Sequence, residues 1–148
     1  FTSAKKKGLK ICYSAAPFIA KQTASLLPLT NLLVVNEGEA DSLLKYMNKD
    51  ISALGLPHLI ITLGPKGARY IGEEGNFSVL PFEVSPADTT GAGDTFLGYL
   101  LASVSQGTSM KQAISYGSAA ASLQITKKGA LSAIPSLQEV EIFIKENA

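Results

Sequence analysis

The chain has 148 residues, 46% of them hydrophobic, which suits one compact domain with a sizeable core. Its 13 Lys and Arg residues nearly balance its 12 Asp and Glu residues, so the charge excludes the basic footprint of a nucleic-acid-binding protein. The single cysteine, Cys12, excludes an internal disulfide framework and suits a reducing cytoplasm, and no apolar run approaches the ~20 residues that span a bilayer, so we expect no membrane partner.

Short apolar runs alternate with segments of helical period along the chain, which indicates an α/β fold. The runs Leu9–Ser14, Asn31–Val35 and His58–Leu63 predict buried strands, and Pro17–Leu27 predicts a crossover helix between the first two. The sequence then alternates on either side of Glu74–Asn76, which predicts a β-hairpin.

From Gly91 onward the pattern is helical, with an apolar stripe that predicts the buried face of the first helix. Two further helices are predicted to begin at Ser109 and Ser136, because Ser109 with Gln112 and Ser136 with Glu139 fit the spacing of a capping box. The residues of the stripe are Phe96, Leu97, Leu100, Leu101 and Val104.

The beginning of the chain has no initiator Met, and the basic segment Lys5–Lys7, which predicts a solvated helix face, leads directly into the first strand. A parallel sheet needs flanking strands and cover on both faces. We therefore expect the sequence to be a piece of a larger protein.

The segment Asp88–Phe96, DTTGAGDTF, places glycines and an acid directly before a helix. The first N–H groups of a helix lack intrahelical partners and carry a partial positive charge, and Gly91 and Gly93 would let this backbone approach an anion closely. Asp94 in the first turn would then reach a hydroxyl brought up to that anion, as a base in phosphoryl transfer must. A plainer interpretation stays open, in which Asp94 complements the helix dipole and Asp88 and the glycines form a turn.

Two familiar glycine-rich motifs do not account for this segment. The chain contains no Gly-x-x-x-x-Gly-Lys-Ser/Thr P-loop. A dinucleotide fingerprint would require a third glycine where Phe96 stands.

The segment Asp88–Phe96 resembles the C-terminal signature of the ribokinase-like (PfkB) carbohydrate kinase family, and three other segments resemble that family in the same order. Asn36–Ala40, NEGEA, is similar to its Asn-x-x-Glu motif, and Ile61–Gly67, ITLGPKG, to its nucleotide-loop strand. Thr126–Pro135, TKKGALSAIP, resembles the late loop of ribokinases. The resemblance covers nearly the whole chain but only the second half of such a kinase. It implies the C-terminal, nucleotide-binding and catalytic portion of a three-layer αβα sandwich with a mainly parallel sheet, without the N-terminal substrate and lid part.

The resemblance also implies ATP-dependent phosphorylation of a sugar hydroxyl. Asp94 would take the proton of that hydroxyl, and the N–H groups of Gly91, Ala92 and Gly93 would form the anion hole. The resemblance is strongest to ribokinases, and the stretch KKGALSAIP favours ribose over fructose or a keto-deoxy sugar, while a nucleoside stays open. A homodimer through the lid of a full-length protein is compatible with the family. A nucleotide-binding module without catalysis of its own is the alternative function.

For the nucleotide and its Mg²⁺, the resemblance implies that Asn36 and Glu39 help to hold the hydrated ion and the phosphates. A plain capping box explains the same pair, and the two roles can coexist. Thr62, Gly64 and Gly67 would line the loop after the third strand, at the usual binding edge of a parallel sheet.

Two further sites follow from the resemblance. The small-residue run Gly117–Ser122, which contains Ser118, would let adenine lie against its helix, although close helix packing explains the run as well. Asp88, the carbonyl of Thr90 and Gly129 match positions that hold an activating monovalent cation, K⁺, in ribokinases. Ala133 stands where the typical ribokinase has Ser, and this departure weakens such a site.

Overall fold

The structure is a computed structural model and describes residues 1–147. It contains a five-stranded sheet in the order β1-β2-β3-β4-β5, in which β1, β2 and β3 pair in parallel. The strands are β1 (Cys12–Tyr13), β2 (Leu32–Asn36), β3 (His58–Thr62), β4 (Ala68–Gly72) and β5 (Gly75–Val79). The helices are α1 (Thr2–Lys6), α2 (Ala20–Leu26), α3 (Glu37–Met47), α4 (Ala92–Ser105), α5 (Met110–Ile125) and α6 (Leu137–Glu146).

Four short 3₁₀ turns connect these elements, at Leu27–Leu29, Ile51–Leu54, Gly64–Lys66 and Leu131–Ala133. The chain forms two compact units. Unit 1 consists of Phe1–Gly64 and Arg69–Ser78, and unit 2 consists of Pro65–Ala68 and the chain from Val79 onward.

Unit 1 is built on β2 and β3, whose side chains alternate between the two faces of the sheet. Leu33 and Val35 from β2 and Leu59 and Ile61 from β3 therefore share one buried face, and Leu43 of α3 packs against them. The predicted strands Asn31–Val35 and His58–Leu63 are confirmed to within one residue at each end. The predicted crossover helix Pro17–Leu27 is confirmed as α2, which begins three residues later and ends one residue earlier.

The first strand is shorter than the predicted Leu9–Ser14. The reason is a contact between the two strands: the Ile11 amide donates to the side-chain Oδ1 of Asn31 at 2.9 Å, and the Ile11 carbonyl accepts from the amides of both Asn31 and Leu32. Because the Asn31 side chain takes part in these bonds, the regular ladder starts only at Cys12 and Leu32.

The predicted hairpin is confirmed, with its turn at Glu73–Glu74, immediately before Gly75 opens β5. Tyr70 anchors it: the ring is fully buried and stacks on Phe77 with centroids 4.7 Å apart. The Tyr70 hydroxyl lies 2.7 Å from Nδ1 of His58 on β3, so the only histidine of the chain has a structural partner in unit 1.

Unit 2 contains α4, α5 and α6. Phe96 and Leu100 of the predicted stripe are buried, whereas Leu101 is 37% exposed, so the buried face of α4 is narrower than predicted. A Cβ on Gly117 of α5 would lie 2.8 Å from the Phe96 carbonyl oxygen, which shows that α4 and α5 approach closely because residue 117 is Gly.

The predicted helix starts at Ser109 and Ser136 are confirmed. Ser136 and Glu139 form a complete capping box, since each side chain accepts the other's backbone N–H. At Ser109 only half of the capping box forms. The Ser109 hydroxyl accepts from the backbone N–H of Gln112, but Gln112 Oε1 accepts from the Ser109 hydroxyl and not from the Ser109 backbone N–H. Among the described residues, no helix is both long and apolar enough to cross a bilayer.

Candidate active site

The N-terminus of α4 carries the predicted anion hole. Gly91 is the N-cap, with φ +80°, a left-handed conformation that favours glycine, and it makes no side-chain cap. A Cβ at Gly93 would meet nothing within 4 Å, so this part of the backbone is open to a ligand. Asp94 lies exposed in the first turn of the same helix. The fold thus presents the free N–H groups of a helix start beside a carboxylate.

A cleft of about 450 Å³ opens beside this helix start within unit 2. The Tyr99 hydroxyl donates to the Pro135 carbonyl at 2.6 Å and so ties α4 to the loop that forms one wall. The side chains that line the cleft are largely apolar, and Asp94 is the acidic residue that lines it. The lining residues are Gly91, Asp94, Thr95, Gly98, Tyr99, Ala102, Gln124, Ala130, Leu131 and Ile134.

Asp88 ties the segment before α4 to the loop that follows α5. Its Oδ1 accepts from the Thr90 amide and its Oδ2 from the Gly129 amide, both at 3.0 Å. The Ile125 carbonyl accepts from the amides of Ala87 and Asp88, at 2.7 and 3.1 Å. The hydrogen bonds from Thr90, followed by that from Gly129, lower the pKa of the Asp88 carboxyl. These hydrogen bonds agree with the plainer interpretation, in which Asp88 forms a turn before α4.

Gln124 of α5 is a site residue that the sequence did not indicate. Its side chain is almost completely buried, and its Nε2 donates to the carbonyls of Thr90 at 3.2 Å and Ala130 at 3.0 Å. The sequence feature that could have identified Gln124 is its position between the apolar residues Leu123 and Ile125. A polar side chain buried at such a position needs hydrogen-bond partners.

The predicted K⁺ ligands Asp88, Thr90 and Gly129 are brought together by hydrogen bonds, and their binding of K⁺ remains a prediction. Gly129 contributes its amide to Asp88, and the Thr90 carbonyl accepts the Gln124 amide. Ala133, where the typical ribokinase has Ser, is buried.

The predicted magnesium residues lie in unit 1. Asn36 and Glu39 form a complete capping box at the start of α3, with both hydrogen bonds 2.9 Å long. The capping interpretation is confirmed by these bonds. Asn36 also pairs with Thr62 in the parallel register, so both residues end adjacent strands at the same edge of the sheet, and the Thr62 hydroxyl lies 3.4 Å from the Val35 carbonyl.

The two loop glycines differ in what they require. A Cβ on Gly67 would lie 2.2 Å from the Val79 carbonyl oxygen, so backbone packing by itself demands glycine there. Gly64 has φ +56° and open space around it. Gly64 is therefore the more accessible of the two to a ligand.

The small residues Gly117–Ser122 of α5 differ in burial, because they lie on different sides of the helix. Gly117, Ala119 and Ala120 are buried in helix packing, which confirms the packing interpretation for these three residues. Ser118 is only half-buried. Its predicted contact with adenine remains a prediction.

A mainly parallel sheet flanked by helices, with a glycine-capped helix start beside an exposed acid, defines an α/β protein suited to binding a phosphate group. The comparison with family models is specific: the model described as "pfkB family carbohydrate kinase" matches residues 1–137. The chain belongs to this family, as the resemblance of its motifs indicated.

Two sequence relatives illustrate the match. The chain is 35% identical over 153 residues to a ribokinase of Haemophilus influenzae, covering 96% of this chain and 49% of the relative. It is 37% identical over 110 residues to a probable fructokinase-4 of Arabidopsis thaliana, covering 66% of this chain and 34% of the relative. The chain thus spans about half the length of the ribokinase relative.

Solved structures confirm the ribokinase-like αβα fold class. A ribokinase from Thermotoga maritima superposes with a TM-score of 0.85 at 29% identity, covering 97% of this chain and 52% of the other. A putative ribokinase II from E. coli, in complex with ATP and Mg²⁺, gives a TM-score of 0.82 at 26% identity, with 98% and 51% covered.

Proposed function

We propose that this chain is the nucleotide-binding and catalytic portion of a kinase that transfers the γ-phosphoryl group of ATP to a sugar hydroxyl. The observation that carries the proposal is the start of α4, where the open backbone at Gly93 and the exposed Asp94 carboxylate follow a left-handed Gly91. Membership of the pfkB family supports the reaction class.

In this proposal Asp94 accepts the proton of the attacking hydroxyl, and the hydroxyl oxygen then bonds to phosphorus as the bond to ADP breaks. The N–H groups of Gly91, Ala92 and Gly93, together with the positive end of the helix, stabilise charge on the transferred group. The amide of Ala92 already lies 3.3 Å from the Thr89 carbonyl, so Gly93 and Asp94 offer the freer N–H groups.

We assign the phosphates of the nucleotide and its ion to residues of unit 1. Asn36 and Thr62 end adjacent parallel strands, the edge at which α/β sheets bind ligands, and Gly64 is open there. The Glu39 carboxylate uses Oε2 in the capping box, and its remaining lone pairs can accept from the water shell that Mg²⁺ keeps. Magnesium would supply charge neutralisation at the phosphates, and Ser118 would contact the base.

The location and substrates are part of the same proposal. ATP is supported by relatives solved with it, the putative ribokinase II of E. coli and a fructokinase of Xylella fastidiosa. Relatives named ribokinase and fructokinase support a sugar acceptor, and a nucleoside kinase of Burkholderia thailandensis, solved with inosine, shares the fold. We propose a cytoplasmic kinase acting on a free sugar or nucleoside.

A catalytically incomplete nucleotide-binding module is the second candidate, favoured by the complete capping box of Asn36 and Glu39, which accounts for both residues without a metal role. The two candidates differ in whether phosphoryl transfer occurs in the longest reading frame that contains Phe1–Ala148. Stabilisation by Mg-ATP without stabilisation by ribose is expected for the chain under both, because bound ligand raises the melting temperature by mass action.

The test uses radiolabelled ATP with ribose, fructose and adenosine as acceptors, and compares the longest reading frame with its Asp94→Asn variant. Loss of a general base should reduce turnover by about 10²–10⁴-fold while ATP affinity stays within a few-fold. Asp41→Asn, an exposed acid on α3, serves as the matched control. Near-normal turnover in Asp94→Asn would refute the proposed mechanism.

A further inference from the structure

Gln124 combines deep burial with an unusual division of its hydrogen bonds. Its side chain is 1% exposed and its Nε2 donates to two backbone carbonyls, whereas its Oε1 is buried without a hydrogen-bond partner among the described residues. A buried polar atom without a partner is unfavourable. The donor end of the side chain therefore accounts for the position of Gln124 in this otherwise apolar stretch.

The orientation of this amide follows from chemistry. Thr90 O and Ala130 O can only accept, so the group between them must be the NH₂, which carries two protons. An amide turned the other way would place three oxygens together without a proton. The NH₂ group thus satisfies two carbonyls at once.

These two carbonyls belong to the loops that also meet through Asp88. Thr90 precedes α4, and Ala130 follows α5. A Cβ on Gly91 would lie 3.0 Å from Gln124 Nε2, so the amide packs directly against the N-cap of α4. Gln124 therefore holds the backbone segment that leads into Gly93 and Asp94.

We propose that the Gln124 side-chain amide replaces a monovalent cation in this protein, so that its site loops are held together without K⁺. The carbonyl of Thr90, one of the oxygens expected to bind the ion, is already occupied by an N–H donor. The Asp88 carboxylate, a second expected ligand, accepts two backbone amides. The Gln124 NH₂ bridges the carbonyls of Thr90 and Ala130, so it links the two loops as a shared cation would, and this donor is covalently part of the fold.

Gln124 is by this inference a positioning residue for the helix start. In this respect the inference rests on the proposed kinase function, but the absence of a K⁺ requirement is a property of the folded chain and can be measured without catalysis. Its failure would appear as K⁺-specific stabilisation of the wild-type chain. Failure of the kinase proposal would appear as absence of phosphoryl transfer in every salt.

The test compares melting temperatures of the 148-residue chain in KCl, NaCl and choline chloride at equal ionic strength. The wild-type melting temperature should be the same in the three salts. A higher melting temperature in KCl alone would overturn the proposal, because it would show that the loops bind the cation.

Removing the amide supplies the second arm. Gln124→Ala should lower the melting temperature in choline chloride by at least about 2 °C, and KCl should restore part of the loss by filling the freed oxygens. Gln138→Met, at an exposed glutamine of α6, should change neither value. If Gln124→Ala does not fold, Gln124→Ser carries the same comparison. A stable but K⁺-insensitive variant would overturn the replacement, since these oxygens would then not form a cation site.

Discussion

The Oδ2 atom of Asp88 accepts a hydrogen bond from the backbone amide of Gly129 at 3.0 Å, across 41 positions of sequence. With the Thr90 amide on Oδ1, the carboxylate holds two loops of unit 2 in place. Both bonds favour the ionised form of the acid, and they therefore lower the pKa of Asp88.

We expect Asp88→Asn to lower the melting temperature at pH 7. Because the folded pKa of Asp88 lies below its unfolded value, its contribution is present above the unfolded pKa and is lost as pH falls through the folded one. The difference between wild type and variant should therefore shrink as the pH is lowered. Thermal unfolding from pH 7 downward measures it, with Asp41→Asn as the control. A constant difference would contradict the role of the charge.

Glu139 should give a second pH-dependent contribution. Hydrogen bonds from Ser136, and then its pairing with Lys127 at 3.1 Å, lower the Glu139 pKa from 4.5 to about 2. Its stabilising effect should be complete above pH 4.5 and should disappear as the pH falls toward about 2. Urea unfolding of Glu139→Gln over this range, beside Glu141→Gln on the same helix, tests the assignment. Equal acid sensitivity of both variants and wild type would refute it.

The packing of α4 on α5 depends on Gly117. Gly117→Ala would place a Cβ 2.8 Å from the Phe96 carbonyl oxygen, so the helices must move apart, and we expect a loss of about 1–3 kcal/mol in unfolding free energy. Gly98→Ala on α4 is the matched control, because a Cβ there meets nothing within 4 Å. That control should gain up to about 1 kcal/mol from helix propensity. A neutral Gly117→Ala would show that close packing does not explain the glycine.

The capping role of Glu39 and its proposed magnesium role can be tested separately. Glu39→Gln should keep the melting temperature nearly unchanged, because Gln can complete the capping box with Asn36. In the longest reading frame the same variant should need more Mg²⁺ for half-maximal activity. Glu37→Gln, exposed in the same first turn, should leave the magnesium dependence unchanged. A melting-temperature loss in Glu39→Gln without a change in magnesium dependence would leave only the capping role.

Local sequence determined much of the architecture. The apolar runs of β2 and β3 predicted buried parallel strands, and Ser136 with Glu139 predicted the start of α6. The motif DTTGAGD predicted a glycine-capped helix with an acid in its first turn, which α4 has. These features depend on residues a few positions apart, whose backbone conformation and capping bonds form within one turn or strand.

Only the tertiary structure decided how distant residues combine. The short β1 results from the Asn31 side chain binding the Ile11 amide, and the Asp88 contact with Gly129 requires two loops to converge. Gln124 reads as one amide in an apolar helix until the fold places the carbonyls of Thr90 and Ala130 beside it. The sequence specifies which side chains carry hydrogen-bonding groups. The long-range topology of the chain determines which carbonyls those groups meet. In this protein the topology places the Gln124 amide between the carbonyls of Thr90 and Ala130, where we propose that it holds the loops in place of an ion.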